Sequence, residues 1–209
     1  MKWVTLLAYG QSLYRFTPEV NGELWTMNDV ETFIEKAGCP EIIGLVTTRF
    51  DMHNWGRMSD RRKNLHLDWM KRTEGRVITQ WGNDGTSAYP LGDVEEFFGI
   101  KKVTDKWGQP FWWASMCYML ALAIYEGFRH IHILGCDIVS EGYREERESI
   151  NYLLGFAEAR GVEVTGKTMA SGAKILRYGY DDIVHLKGSD CTTIRFEMGK
   201  NETVKEPRS

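Results

Sequence analysis

F-W-W-A-S-M-C-Y-M-L-A-L-A-I-Y-E-G-F-R-H-I-H-I-L-G-C-D-I-V-S-E-G-Y, Phe111–Tyr143, is the stretch that decides the fold class. Ser115 can cap a helix that is apolar on nearly every side and runs to about Glu126, where Gly127 ends it. Four residues later Ile131–Leu134 reads as a strand closed by Gly135. A helix feeding a short apolar strand, repeated along the chain, implies a mostly parallel sheet covered on both faces.

The same alternation extends in both directions. Upstream, Trp3–Ala8 is a nearly continuous apolar run punctuated by Gly10, and Glu23–Met27 is a second short strand. Val30, Phe33, Ile34 and Ala37 stand at helical spacing before Gly38. Ile42–Thr48, rich in β-branched residues, is the third expected strand. A helix from Ser59 to Arg72 with Ser59 as N-cap, a fourth strand Arg76–Trp81, the turn Gly82–Gly85 and a short helix Leu91–Phe98 entered at Pro90 follow. Downstream, Ile150, Leu153, Leu154 and Ala157 mark a helix stopped at Gly161, and Val162–Thr165 is a strand. Ile183–Lys187 and Thr192–Met198 are expected to close the chain as an antiparallel hairpin. The expectation is an α/β, Rossmann-like, mostly parallel sheet with helices on both faces, one domain over residues 1–199 and a charged tail over 200–209.

Bulk properties set the outer limits. The 209 residues are 43% hydrophobic and 26% charged, ordinary for one globular domain. A net charge of −3 and a pI near 6.0 give no general attraction to nucleic acid, which leaves a nucleic-acid partner open without pointing to one. No apolar run reaches the roughly 18 residues of a membrane span, so no membrane partner is expected. Cys39, Cys117, Cys136 and Cys191 show no C-x-x-C spacing, which fits a reducing cytoplasm better than a zinc or disulfide scaffold. Homo-oligomerisation stays open.

In an open α/β sheet, ligands gather beyond the carboxyl ends of the strands. Four places there carry suitable residues: Gly10-Gln11-Ser12 after the first strand, Asn28-Asp29 after the second, Ser115 at a helix start, and Gly135 to Asp137 after the strand beginning near Ile131. Glycines let a backbone approach a phosphate, a helix start offers free N–H groups to an anion, and Asp137 could accept from a sugar hydroxyl. Asp51-x-His53 follows the third strand, and a carboxylate two residues from an imidazole can orient it as a general base. His130 and His132 share one face of a strand and are set aside as metal ligands. Gly161–Thr168 formally fits G-x-x-x-x-G-K-[ST], yet Val-Glu-Val-Thr between the glycines is strand-forming sequence, so no phosphate-binding loop is expected there.

Ala114–Ile138 resembles the helix–strand unit of bacterial sialyltransferases, T-S-G-x-Y-M followed by A-I-x-x-G-Y-x-x-I-x-x-x-G-x-D. The wider group resembled includes bacteriophage proteins and motility-associated and pterin-pyrophosphokinase-like proteins. The phage relatives also resemble the chain at Trp25–Asp29, Phe50–His53, Tyr89–Leu91 and Tyr152–Gly155. The resemblance implies a nucleotide held by Gly10, Ser12, Asn28, Ser115, Gly135 and Asp137, with Tyr143 matching a phosphate-binding tyrosine; Gln11 and Asp29 join the expected nucleotide site by their place at the same rim. It further implies a transferase taking a nucleotide-sugar donor as substrate, with no separate cofactor, in the cytoplasm (the host's, for a phage-encoded protein). Tyr9 replaces the family's first asparagine, and its catalytic histidine has no counterpart near Lys167–Lys174. His53, with Asp51, is the candidate base instead, and no D-x-D motif calls for a divalent ion. A non-catalytic nucleotide-binding module and a pyrophosphokinase-like phosphotransferase remain the alternatives.

Overall fold

The computed structural model describes residues 2–9, 22–36, 40–53, 58–72, 74–82, 85–100, 114–136 and 144–168. Within them lie β1 (Trp3–Leu7), β2 (Glu23–Met27), α1 (Glu31–Lys36), a 3-10 turn at Pro40–Leu45, β3 (Thr48–Asp51) and α2 (Asp60–Arg72). Then come β4 (Arg76–Thr79), β5 (Ser87–Ala88), α3 (Leu91–Phe97), α4 (Ser115–Tyr125), β6 (His130–Cys136), α5 (Arg144–Ala159) and β7 (Glu163–Thr168). The strands form one sheet in the order β5-β4-β3-β2-β1-β6-β7, and every pairing is parallel. This is the Rossmann-like α/β arrangement expected. The expected C-terminal hairpin and the 200–209 tail lie outside the described residues. Among the described residues, no helix is long and apolar enough to cross a membrane.

The order has one reversal. From β1 the chain adds strands outward to β5, then returns to add β6 on the other side of β1. A crevice opens at such a switch point, at the carboxyl ends of the strands. Strand alternation sorts the two faces. Val4, Leu6, Trp25, Met27, Phe50, Ile78, Ile131 and Ile133 point into the larger core, shared with α3, α4 and α5. Leu7, Leu24 and Leu134 point the other way, onto Val30, Ile34 and Ile42 beside α1. Thr26, Arg49 and Asp51 belong to this second face by the same alternation, and all three are buried.

α4 fills the larger core almost completely, with Met116, Cys117 and Met119 through Ile124 buried. Its end is a Schellman motif. Gly127 at φ 81 donates to the Ile124 carbonyl at 3.1 Å, and Phe128 donates to that of Ala123 at 3.1 Å.

Three sequence expectations needed correction. Ile42–Thr48 is not a strand: Pro40–Leu45 is a 3-10 turn that buries Ile42 against α1, and β3 begins at Thr48. Ser115 is not an N-cap. Ala114, in extended backbone, holds that position, and Ser115 is the first helical residue with its hydroxyl used elsewhere. Gly135 and Cys136 do not follow the strand but belong to it, because β6 runs on to Cys136. Gly161–Thr168 is no phosphate-binding loop, as expected. Gly166 lies within β7, and a Cβ there would stand 2.0 Å from the Ile133 carbonyl oxygen.

Candidate functional site at the carboxyl rim

A helix that leads into a parallel strand runs back across the sheet, so α4 begins at the carboxyl rim. There the Ser115 hydroxyl donates to Asn28 Oδ1 at 3.3 Å, joining two predicted residues 87 positions apart in sequence. Asn28 follows β2 in the left-handed region, φ 54, a conformation asparagine tolerates better than most residues. Its backbone N–H donates to the Phe50 carbonyl at 2.7 Å. Its own carbonyl accepts two bonds from the Arg49 guanidinium, one from Nε at 2.9 Å and one from Nη2. Arg49 is fully buried, and its Nε also stands 3.5 Å from Glu31 Oε1. Thr26 donates to the same Glu31 oxygen at 3.1 Å.

This buried layer shapes the second loop from beneath. Burial pushes the Glu31 carboxyl up against the opposing pull of Arg49, and burial likewise draws the Arg49 guanidinium down while Glu31 and Asp51 hold it charged. Tyr9, at the end of β1, reaches the same loop. Its hydroxyl bonds the Asp29 carboxylate and accepts from the Asp29 backbone N–H at 2.8 Å. Burial, then that carboxylate, pushes the Tyr9 phenol far above its ordinary range, so it serves as a neutral donor. Asp29 is thus turned toward Tyr9. Gly135, at φ 73, packs where a Cβ would stand 2.1 Å from the Ala8 carbonyl oxygen. Its missing side chain is therefore used first by the β1–β6 contact. Gly10, Gln11, Ser12, Asp137 and Tyr143 lie outside the described residues.

Two strands from β1, the rim carries an ionic cluster. Asp51, the last residue of β3, is fully buried and accepts from three donors. His53 Nδ1 stands 2.9 Å from Oδ1, the His53 backbone N–H 3.2 Å from the same oxygen, and His66 Nδ1 2.5 Å from Oδ2. Burial alone would raise the Asp51 carboxyl, but the bonds from His53 and His66 outweigh it and hold the carboxylate well below its usual range. An ionised carboxylate only accepts, so both Nδ1 atoms carry the proton. His53 is then left with a lone pair on Nε2, and its side chain, 28% exposed, opens to the rim. That is the arrangement of a general base oriented by a carboxylate.

One donor atom from each of Asp51, His53 and His66 lies within 4.8 Å of the others, and two imidazoles with a carboxylate are a known metal-ligand set. The spacing is that of hydrogen bonds. Ligands about 2.1 Å from a tetrahedral ion stand roughly 3.4 Å apart, wider than the 2.5 Å and 2.9 Å found here.

Of the residues expected at the site, the structure brings Asp51 to His53 and Asn28 to Ser115; His66, Arg49 and Glu31, which contact them, were not among those expected. His66 had a signal: with Trp69 and Met70 it stands at i, i+3 and i+4, and all three are buried while Leu65 and Leu67 are exposed. His130 and His132 face Glu163 and Thr165 at 2.8 Å and 2.9 Å on the exposed part of β6, away from this cluster.

No protein-family model matches the chain, and comparison with curated proteins finds no match. Among solved structures it is similar to the sialyltransferase CstII from Campylobacter jejuni in complex with CMP-3FNeuAc. That match has 13% identity and a TM-score of 0.41, covering 82% of this chain and 84% of that one. The same enzyme in complex with cytidine-5'-monophosphate matches at 12% identity and a TM-score of 0.40, with 80% of each chain covered. A variant described as an alpha-2,3/8-sialyltransferase matches at 13% identity and a TM-score of 0.39, covering 79% of this chain and 81% of that one.

Proposed function

We propose that the chain binds a nucleotide at the switch-point crevice and acts as a glycosyltransferase-like enzyme on a nucleotide-sugar donor. The observation that carries this is the Ser115–Asn28 contact, which sets a helix N-terminus and a braced asparagine beside the crevice. Unpaired N–H groups at a helix start favour phosphate. Gly10, Gln11, Ser12, Asp29, Gly135, Asp137 and Tyr143 would complete the pocket, with Asp29 acting from its bond to Tyr9.

Catalysis would fall to His53, oriented by Asp51. His53 Nε2 takes the proton of an acceptor hydroxyl, whose oxygen forms a bond to the anomeric carbon of the donor sugar. The bond from that carbon to the phosphate oxygen breaks, and the nucleotide leaves with the electron pair. Asp51 stays ionised and stabilises the imidazolium.

Calorimetry against CMP, UDP, GDP and ADP tests the pocket. One of them is expected to bind, and Ser115→Ala to weaken it roughly 2- to 10-fold, the worth of one hydrogen bond. His53→Ala is expected to leave that affinity within about 2-fold while abolishing sugar transfer. Absence of binding to all four at millimolar concentration would defeat the proposal. Binding without turnover of any nucleotide sugar would favour the non-catalytic module.

A further inference from the structure

We infer that His66 is a positioning residue that fixes Asp51, and through it the proton on His53, so that the rim carries a His–Asp–His triplet rather than a pair. The inference rests on the role of His53 proposed above and deepens it. Among the described residues, nothing else accounts for a histidine at this place. His66 is fully buried on the stripe of α2 that holds Trp69 and Met70, where an apolar side chain would pack without a desolvation cost. Its Nδ1 bonds Asp51 Oδ2, while its Nε2 is buried with no hydrogen-bond partner among the described residues. The polar character of the ring is therefore directed to one place, the carboxylate.

That contact completes the restraint on Asp51. The carboxylate has two oxygens and two side-chain torsions. Oδ1 is occupied by the backbone N–H and ring of His53, and Oδ2 by α2. With both oxygens tied to different elements, the carboxylate plane cannot turn without losing a charge-assisted bond. Fixing that plane keeps the proton on His53 Nδ1 and the lone pair on Nε2. His66 also touches His53 directly, edge to face, with ring centroids 5.1 Å apart at 89°, which restrains the plane of the His53 ring. The triplet thus acts on both the tautomer and the orientation of the base.

The experiment reads the His53 ring by nitrogen NMR in the intact chain, with His53→Gln used only to assign its signals. The wild type is expected to show His53 as the Nδ1–H tautomer alone. Three variants separate the roles: His66→Asn places an amide donor where Nδ1 stood, His66→Gln places it one bond further out, and His66→Phe keeps the ring without a donor. The Gln and Phe variants are expected to give a mixture of His53 tautomers, and the Asn variant to restore the single form. If the Phe variant does not fold, the Gln and Asn pair decides. A single Nδ1–H form retained in folded His66→Gln, or no restoration in folded His66→Asn, would overturn the inference. Stoichiometric zinc binding by the wild type that all three variants lose would overturn it too, by making His66 a ligand. Calorimetry with CMP, UDP, GDP and ADP on the same samples keeps the two proposals apart, because a chain without nucleotide affinity can still show the tautomer effect.

Discussion

Replacing Arg49 by methionine tests the buried layer beneath the Asn28 loop. The change keeps most of the side-chain volume but removes both bonds to the Asn28 carbonyl and leaves the Glu31 carboxylate without its cation. Both partners are essentially out of water, at 0% and 2% exposure, so solvent cannot replace the lost pairing. Breaking a buried pair from one side costs about 3–5 kcal/mol. For a chain of this size that lowers the melting temperature by roughly 6–20 °C. Adding Glu31→Gln to Arg49→Met removes the stranded charge, and the double variant is expected to recover about half of the loss. The pH dependence has a definite sign. Glu31 is already raised above its ordinary 4.5 in the folded protein, and removing Arg49 raises it further. A carboxyl raised by folding favours the folded state while protonated, and that advantage is lost as pH rises through the folded value. The deficit of Arg49→Met should therefore be smallest below about pH 4.5 and grow toward neutrality. Urea unfolding at a series of pH values measures it. A loss under about 1 kcal/mol at pH 7, or a deficit that Glu31→Gln does not reduce, would refute the reasoning.

Two further substitutions probe the rim. Gly135→Ala combines a left-handed backbone with a Cβ placed 2.1 Å from the Ala8 carbonyl oxygen. It is expected to cost more than about 3 kcal/mol, seen in a thermal melt. A normally stable variant that only lost nucleotide affinity would instead assign Gly135 to the ligand. Asp51→Asn should cost about 1.5–3 kcal/mol at neutral pH, the worth of hydrogen bonds to a charged acceptor. Because folding lowers Asp51 below its ordinary 3.8, its contribution is present above that value and disappears as pH falls through the folded one. The wild type should thus lose its advantage over Asp51→Asn on acidification below about pH 4, and a constant gap across that range would contradict it.

The sheet was legible in the sequence wherever hydrophobic runs and glycine stops agreed. Ala114–Cys136 is the clearest case, because α4 is apolar all round and Gly127 stands at its Schellman position. β3 was misplaced for a physical reason. The β-branched run at 42–48 looked like the strand, whereas the strand itself is Thr-Arg-Phe-Asp, with two charged residues that turn inward to partners far away in sequence. Periodicity counts a charge as solvent-facing and cannot see the Glu31 or His66 that pairs it. Ser115 was placed correctly at the helix start but given the commoner role of a cap, since nothing local points to Asn28. His66 lies in the buried stripe of α2 with Trp69 and Met70, while the leucines on either side of it are exposed, so apolar residues alone do not mark that stripe.

The reversal in strand order has a consequence for how the molecule is completed. β1 cannot finish its pairing until β6 arrives, and Trp3 pairs with His130 from 127 positions away. Asn28 and the Asp51 cluster belong to the portion of the chain before the reversal, Ser115 and Gly135 to the portion after it. The crevice is the seam between the two. Any partly assembled state in which α4 and β6 are undocked has no seam, and a ligand spanning it can stabilise only the finished sheet. If the rim binds the proposed nucleotide, its occupancy would report completion of the fold, because the pocket draws on both halves.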